Sequence, residues 1–314
     1  MKVSVCMITY NHEKFIEQAV ASVIAQETSF DYEIVIGEDC SKDRTREILL
    51  DLQKTYPDKI RLLLPPQNIG MHENFAQTLS ACTGQYVAIL EGDDYWTSTQ
   101  KLQKQVDDLD NHPNCVICFH AVRIFHEDRG HPDQIHPHTA NRISTIEDLI
   151  VNNFIPTLSV MFRNGFIDNL PQWLNTLPMA DWPFNILNAQ HGDILFINEV
   201  MADYRSHEGG VWSSISTAKK LQGIVKMHEV VNNHFKNKYS GILNPAISNL
   251  YFMTAIEHEN SGNIKDACLC SLRSLTISPF KKSMSRKDII KLFFRLHLKL
   301  LAAKLPFIKS DKLS

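Results

Sequence analysis

Short β-branched runs alternate with stretches of helical periodicity through the first hundred residues, and this alternation directs the chain toward βαβ units and a parallel sheet. Val3 to Ile8 reads as a buried strand. From Glu13 to Ala25 the apolar residues Ile16, Ala19, Val20, Val23 and Ile24 recur at helical spacing, so Thr9 to His12 is the turn between strand and helix. Ile34 to Gly37 forms a second strand, and Asp43 is a natural N-cap for a helix carrying Ile48, Leu49 and Leu52. A third strand spans Ile60 to Leu64, the Asn68-Ile69-Gly70 stretch turns the chain, and Phe75 to Ala81 reads as another helix. Gly84 opens a fourth strand, Tyr86 to Leu90. Further on come strand-like Val116 to Phe125, a His- and Pro-rich loop from His126 to His138, a helix near Ile146 to Asn152, and strand-like Thr157 to Phe162. The expected class is therefore α/β, a mixed and mostly parallel sheet flanked by helices.

After Arg205-Ser206-His207 the texture changes, and helical periodicity dominates from about Lys219 onward. The division expected is 1–215 for the α/β domain and 216–314 for a helical C-terminal region. Tyr251 to Ser278 reads as two helices joined at Ser261-Gly262-Asn263, with Ala255 and Ala267 where they could cross, resembling one tetratricopeptide-like hairpin. Lys281 to Ser314 carries ten Lys or Arg against two Asp, interleaved with Ile289, Ile290, Leu292, Phe293, Phe294, Leu296, Leu298, Leu300 and Leu301. Such a basic helix has two readings: an interfacial helix against anionic headgroups, through 281–309, or a helix packed on the α/β domain.

With 314 residues the chain has room for a large buried core, and 44% hydrophobic with 21% charged residues is ordinary for a folded protein. A formal net charge of -3 gives no global attraction to nucleic acid, so no nucleic-acid partner is expected. The seven cysteines follow no framework spacing and read as reduced thiols; Cys115 and Cys118 form a lone CxxC inside an apolar strand, with no second Cys/His pair for zinc. Met1-Lys2-Val3 runs straight into a strand without a leader, and no apolar run approaches the ~20 residues of a membrane-spanning helix, so the expected location is the cytoplasm.

In an open parallel sheet, ligands bind in the crevice beyond the carboxyl ends of the strands. Three strand ends here carry polar residues: Thr9-Tyr10-Asn11, Glu38-Asp39, and Glu91-Gly92-Asp93-Asp94. Three carboxylates within four residues need a counter-ion. Alone, such a triplet is as well read as a solvated acidic turn; beside two other polar strand ends it fits a hard divalent cation, Mg²⁺ or Mn²⁺, that leaves coordination positions for phosphate.

These residues resemble the family 2 glycosyltransferases of the Rossmann-like GT-A fold, over residues 1 to about 215. Thr9-Tyr10-Asn11 is similar to that family's first-strand motif, which contacts the nucleobase. Glu38-Asp39-Cys40-Ser41-Lys42-Asp43 is similar to its Asp-Asp-Gly-Ser-Thr-Asp turn, with Glu and Cys in place of the first Asp and the Gly; the resemblance implies that Asp39, and less directly Glu38, accepts from a uracil ring. Glu91-Gly92-Asp93-Asp94 resembles the family's Asp-x-Asp-Asp segment, implying Asp93 and Asp94 as ribose and metal contacts. Asn68-Ile69-Gly70, Asn74, Lys101 and Gln105 also resemble recurring features and are read as support.

Transfer of a sugar to a hydroxyl needs a base for the acceptor's proton. Met179-Ala180-Asp181-Trp182-Pro183 resembles the family's acidic motif at a helix start, which makes Asp181 the candidate base; Asp181 is also a good N-cap ahead of Pro183. Tyr204 to Ser213 resembles a loop that closes over the donor, implying Arg205 as a phosphate contact and His207 as a metal or diphosphate contact, with Gly209-Gly210 as its pivot. The resemblance implies an inverting, metal-dependent hexosyl- or N-acetylhexosaminyltransferase that moves a sugar from a nucleoside diphosphate donor, a UDP-sugar for preference, to a glycan or lipid-linked glycan acceptor. Bacterial surface polysaccharide assembly is the setting implied. A non-catalytic sugar-nucleotide-binding or scaffold protein competes with this reading. A nucleotidyltransferase fits less well, since Thr9-Tyr10-Asn11-His12 is not a Gly-rich basic loop, and no GxGxxG follows any strand as an oxidoreductase would need.

Overall fold

The computed structural model describes all residues except 128–130, 139, 167–169, 208, 211–214, 278–285 and 305–314. The chain divides into two compact units, Met1–Ser213 and Ser214–Ser314.

In the first unit, β1 (Val3–Thr9) is the pivot. Its side chains Val3, Val5 and Met7 are fully buried, each contributing roughly 1.5–3 kcal/mol by leaving water. β1 pairs in parallel with β2 (Tyr32–Glu38) on one side and β4 (Tyr86–Glu91) on the other; β3 (Ile60–Leu63) extends the sheet beyond β2. The registers are aligned. Val3 faces both Tyr32 and Tyr86, so the far ends also coincide: Thr9 lies opposite Glu38, and Ile8 opposite Glu91. Strands that start level and run to within one residue of the same length end almost level, and three polar strand ends share one edge.

α1 (Ile16–Ile24), α2 (Thr45–Thr55) and α3 (Met71–Ser80) are the crossovers. Ile16, Ala19, Val20 and Val23 of α1 are buried, the stripe expected from their spacing. α3 begins four residues before Phe75, at Met71, because Gly70 adopts φ 87 and turns the chain into the helix at that point. Gly37 in β2 is where α3 comes closest: a Cβ there would stand 2.1 Å from Thr78 Oγ1 and 2.3 Å from Asn74 Oδ1.

The second half of the sheet is mixed. The strand expected over Thr157 to Phe162 is instead a 3₁₀ turn, Thr157–Ser159, followed by the short β9 (Met161–Arg163), which runs antiparallel between β4 and β6 (Cys115–His126). Pro156 withholds a ladder donor and sets the extended entry to that turn. Two of the longer elements do not show in the sequence pattern. α4 (Lys101–Asn111) buries Leu102, Val106 and Leu109 among polar neighbours, and β10 (Asp193–Ser206) interrupts its apolar run with Asn198 and Glu199. The His- and Pro-rich segment contains β7 (Gln134–His136) on β6, β8 (Ile143–Ser144) pairs with β10, and α5 (Ile146–Leu149) follows behind a Thr145–Asp148 capping box. The order is β3-β2-β1-β4-β9-β6-β10-β5, where β5 (Tyr95–Trp96) pairs antiparallel with Ala202 and Asp203 of β10. Register shifts around Val200 bend β10, and its last residues run beside Arg123–His126. Cys115 and Cys118 lie buried in β6, and all seven cysteines are free thiols.

The second unit is helical. α7 (Thr217–His234) is followed by α8 (Ser240–Asn260) and α9 (Ile264–Ile277), joined through Gly262 at φ 78, and by α10 (Arg286–Lys304). Ala255 and Ala267 are both fully buried in one core with Phe252, Cys268, Ile289, Leu292 and Leu296, so small residues do sit where α8 and α9 meet. Among the described residues no helix is long and apolar enough to cross a membrane.

Candidate active site

Past the level ends of β1, β2 and β4 the chain forms three turns that are laced to one another. In the first, Asn11 adopts φ 56, a left-handed conformation that Asn tolerates better than most residues. Its N–H donates to Ser41 Oγ (2.9 Å) and its Oδ1 accepts from the Lys42 N–H (2.8 Å). The His12 N–H donates to Thr45 Oγ1, and the Glu13 N–H to Asp43 Oδ2 (3.0 Å). Asp43 Oδ1 also accepts from the Thr45 N–H, but the N-cap position of α2 belongs to Arg44, one residue beyond the expected cap. Tyr10 sits half-buried between Thr9 and Asn11.

Glu38 and Asp39, adjacent in sequence, are used differently. Glu38 is fully buried; one oxygen accepts from the Ser41 N–H (2.6 Å) and the other pairs with the Arg46 guanidinium. Asp39 is fastened from the far side, where Oδ1 takes the Ile69 N–H (2.7 Å), Oδ2 takes the Gly70 N–H (2.9 Å), and its carbonyl accepts from Asn68 Nδ2. Two backbone donors leave lone pairs on the Asp39 oxygens for a further partner. Both backbone donors come from the Asn68-Ile69-Gly70 turn, whose role is to hold Asp39. Cys40, standing where the resembling motif has Gly, adopts φ 57.

The acidic turn after β4 is packed as tightly. A Cβ on Gly92 would lie 2.5 Å from Thr9 Oγ1 and 3.0 Å from His12 Nδ1, so only glycine lets the turn lie against the first loop. Asp93 is held by two imidazoles: His207 Nε2 at 3.1 Å and His12 Nε2 at 3.6 Å from the same Oδ2. Burial raises the Asp93 pKa, but the His207 hydrogen bond and the charge of His12 outweigh it and hold the carboxyl below its ordinary value. The Asp93 partner raises His207, whereas burial lowers His12.

Asp94 is the reverse case. Oδ1 accepts the Arg205 N–H at 2.7 Å, and Oδ2, buried, has no hydrogen-bond partner among the described residues. Burial, then the charges of Asp93 and Glu91, drive its carboxyl well up. Glu91 is pushed up to about 8 by burial and by the charges of Asp93 and Asp181. Asp181 joins this group as the first residue of α6 (Asp181–Ala189); the N-cap position belongs to Ala180, a one-residue correction to the cap assignment. Its Oδ2 accepts from Thr157 Oγ1 (3.3 Å) and Asn153 Nδ2 (3.4 Å), yet burial dominates and its carboxyl too is raised. Tyr204 was read only as part of a loop. Its hydroxyl stands in the field of Glu91, Asp94, Asp93 and Asp181, and burial and those charges raise its pKa.

Arg205 does not hold its fork free. Nε donates to the Asp93 carbonyl (3.0 Å), one terminal nitrogen to Glu127 Oε1 (3.0 Å) and the other to Gln18 Oε1 (2.8 Å). The guanidinium lies 4.6 Å from the Phe15 ring centroid and 5.1 Å from that of Phe125. It clamps the end of β10 onto the acidic turn. Gly209 and Gly210 are described, while Glu208 and Val211 to Ser213 of the expected closing loop lie outside the described residues.

Thr9, Asn11, Glu38, Asp39, Asp93, Asp94 and His207 thus gather in the turns of one sheet edge, and Asp181 is electrostatically linked to them through Glu91. His12, Phe15 and Tyr204 complete the surroundings. Only the position of His12, directly after the Thr9-Tyr10-Asn11 motif, could have flagged it in the sequence. Among the described residues no three His, Cys, Asp or Glu side chains form a ready-made metal-ligand set. The orphaned Asp94 oxygen, in a pocket of excess carboxylates, fits a hard cation that would take the rest of its ligands from phosphate and water.

Residues 4–170 match the family described as "Glycosyl transferase family 2", and the chain belongs to that family. An uncharacterized protein of Mycobacterium tuberculosis is 39% identical over 218 residues, 69% of this chain and 62% of that protein, so the match spans about three fifths of that relative's length. A putative teichuronic acid biosynthesis glycosyltransferase of Bacillus subtilis is 30% identical over 237 residues, 74% of this chain and 90% of that protein. Among solved structures, residues 1–349 of Staphylococcus aureus TarS in complex with UDP-GlcNAc superpose with a TM-score of 0.67 at 17% identity, over 96% of this chain and 92% of that one. A Pyrobaculum calidifontis mannosyltransferase in complex with GDP-Man and Mn²⁺ gives 0.57 at 14% identity, over 97% and 88%. At these identities the superpositions establish the fold, which is GT-A.

Proposed function

We propose that the chain transfers a sugar from a nucleoside diphosphate sugar, a UDP-sugar for preference, to a hydroxyl of a glycan or lipid-linked glycan, with inversion at the anomeric carbon. The observation that carries this reading is the gathering of Thr9, Asp39 and the Glu91–Asp94 turn at one edge, together with a buried Asp94 oxygen that lacks a partner. The first two loops, with Thr9, Tyr10, Asn11 and Asp39, hold the base; Glu38 and Arg46 brace that turn from beneath. Asp93, fixed between His12 and His207, faces the ribose side. Asp94 is the ligand for a divalent cation, Mn²⁺ or Mg²⁺, with His207 and Asp93 beside it. When bound, that ion supplies neutralising charge to the departing diphosphate.

Transfer is a single displacement. The acceptor oxygen bonds to the anomeric carbon as the bond from that carbon to the diphosphate oxygen breaks, the acceptor proton passes to Asp181, and the nucleoside diphosphate leaves with the electron pair. The relatives named above support this reading: a TarS structure contains UDP-GlcNAc, and a mannosyltransferase structure contains GDP-Man with Mn²⁺. Surface-polysaccharide assembly on the cytoplasmic side of a bacterial envelope fits the teichuronic acid relative. A non-catalytic scaffold would have no use for a buried Asp181 in the field of Glu91 and an unsatisfied Asp94 oxygen in the same acidic turn.

The test is metal-dependent release of UDP from a panel of UDP-sugars, first without acceptor and then with glycan and polyprenol-linked acceptors. Slow hydrolysis of one sugar nucleotide, lost with chelator and in Asp181→Asn, is the expected result. Release from none of them, with or without acceptor, would refute the donor assignment.

A further inference from the structure

α10 shows two unlike faces. Ile289, Leu292 and Leu296, spaced three and four apart, are buried in the core made with α8 and α9. Half a turn round the helix stand Lys287, Lys291, Phe294 and Leu298, all exposed; Phe294 at 60% and Leu298 at 65% are the most exposed large hydrophobic residues of the described chain. The flanking cations Arg295 and Lys299 are both held by Glu259 of α8. Lys287 and Lys291 form no ion pair among the described residues. Asp288 is the one acid between Arg286 and Lys304, and it lies off this stripe.

We propose that this outer face of α10 docks on an anionic lipid surface, with Phe294 and Leu298 entering the interface and Lys287 and Lys291 meeting the headgroups. A packed partner helix would want a continuous apolar seam, and here Lys287 and Lys291 take up the first half of it. Burying them against protein would strand their charges, whereas at a lipid interface the ammonium ends stay among phosphates while the stems lie on the acyl boundary. Charge complementarity with an anionic leaflet therefore selects the occupant. Docking is independent of which sugar the first unit handles, so a failure of the donor assignment leaves it standing, and the reverse.

The test is co-sedimentation of the full chain with vesicles of phosphatidylcholine, with and without roughly a third phosphatidylglycerol. The wild type is expected to partition onto the anionic vesicles only, and less at high salt. Phe294→Ser/Leu298→Ser and Lys287→Glu/Lys291→Glu should each weaken partition by at least about tenfold, with the helical circular dichroism and UDP binding of each variant unchanged. Equal partition of wild type and both variants would overturn the proposal. So would absence of wild-type binding, or a wild-type dimer that Leu298→Ser converts to a monomer, which would make a second copy the occupant.

Discussion

Asp181 and Cys40 are two single residues on which the account can be tested separately. Asp181→Asn keeps the shape of the site and removes the proposed base, so kcat should fall by roughly 10²–10⁴ while UDP affinity stays within about threefold; steady-state kinetics beside UDP titration read both. Burial outweighs the hydrogen bonds from the Trp182 N–H, Asn153 and Thr157, and the Asp181 carboxyl is raised. As the proposed base, Asp181 acts in its deprotonated form. Activity is therefore full above that raised pKa and falls as pH drops through it, with the acid limb of kcat/KM lying above the ordinary carboxylate value of about 4. A limb at or below that value would contradict the assignment. At Cys40 the φ of 57 carries a cost of about 1–2 kcal/mol for a residue with a Cβ. Cys40→Gly should leave stability unchanged or raise it by up to about 1 kcal/mol, whereas branched Cys40→Val should lower it by about 1 kcal/mol or more; thermal unfolding separates them. That strain was half legible in advance, because the resembling motif carries Gly at this point. The division of labour between Glu38 and Asp39 was not, since it depends on Arg46 and the Ile69-Gly70 amides arriving from elsewhere in the chain.

At the scale of elements, the site depends on the end of β10 being pinned to the acidic turn by Arg205. Arg205→Ala removes three side-chain hydrogen bonds and a cation stacked on Phe15 and Phe125. Such loss should cost roughly 2–3 kcal/mol of stability and weaken UDP binding at least tenfold, and Arg205→Lys should recover little, because an ammonium cannot reproduce the fork. Gly92→Ala acts on the neighbouring contact. Its Cβ would meet Thr9 Oγ1 at 2.5 Å, forcing the acidic turn away from the first loop, and UDP affinity should drop more than stability does. β1, β2, β4, α1 and α2 were readable because their apolar residues keep one period throughout. β10 and α4 were not. β10 crosses a bulge at Val200, where alternation breaks, and α4 shows only three buried apolar residues in a polar sequence. The consequence is specific: Tyr204 and the clamping role of Arg205 lie on the strand that was missed.

For the molecule as a whole, the sheet order and its level strand ends convert a scattered set of polar motifs into one crevice. The sequence could suggest convergence through the rule for open parallel sheets, but the registers that make Thr9, Glu38 and Glu91 neighbours appear only in three dimensions. The two compact units each have their own core. A fragment of residues 1–213 should therefore bind UDP within about threefold of the full chain, as measured by titration of both. The proposed hold on a nucleoside diphosphate through a cation on Asp94 is read by isothermal titration of UDP with and without Mn²⁺, on wild type, Asp94→Ala and Asp181→Ala. Metal-dependent binding that is lost in Asp94→Ala and kept in Asp181→Ala is the expected result; binding of equal strength without metal, or undiminished in Asp94→Ala, would overturn that role for Asp94.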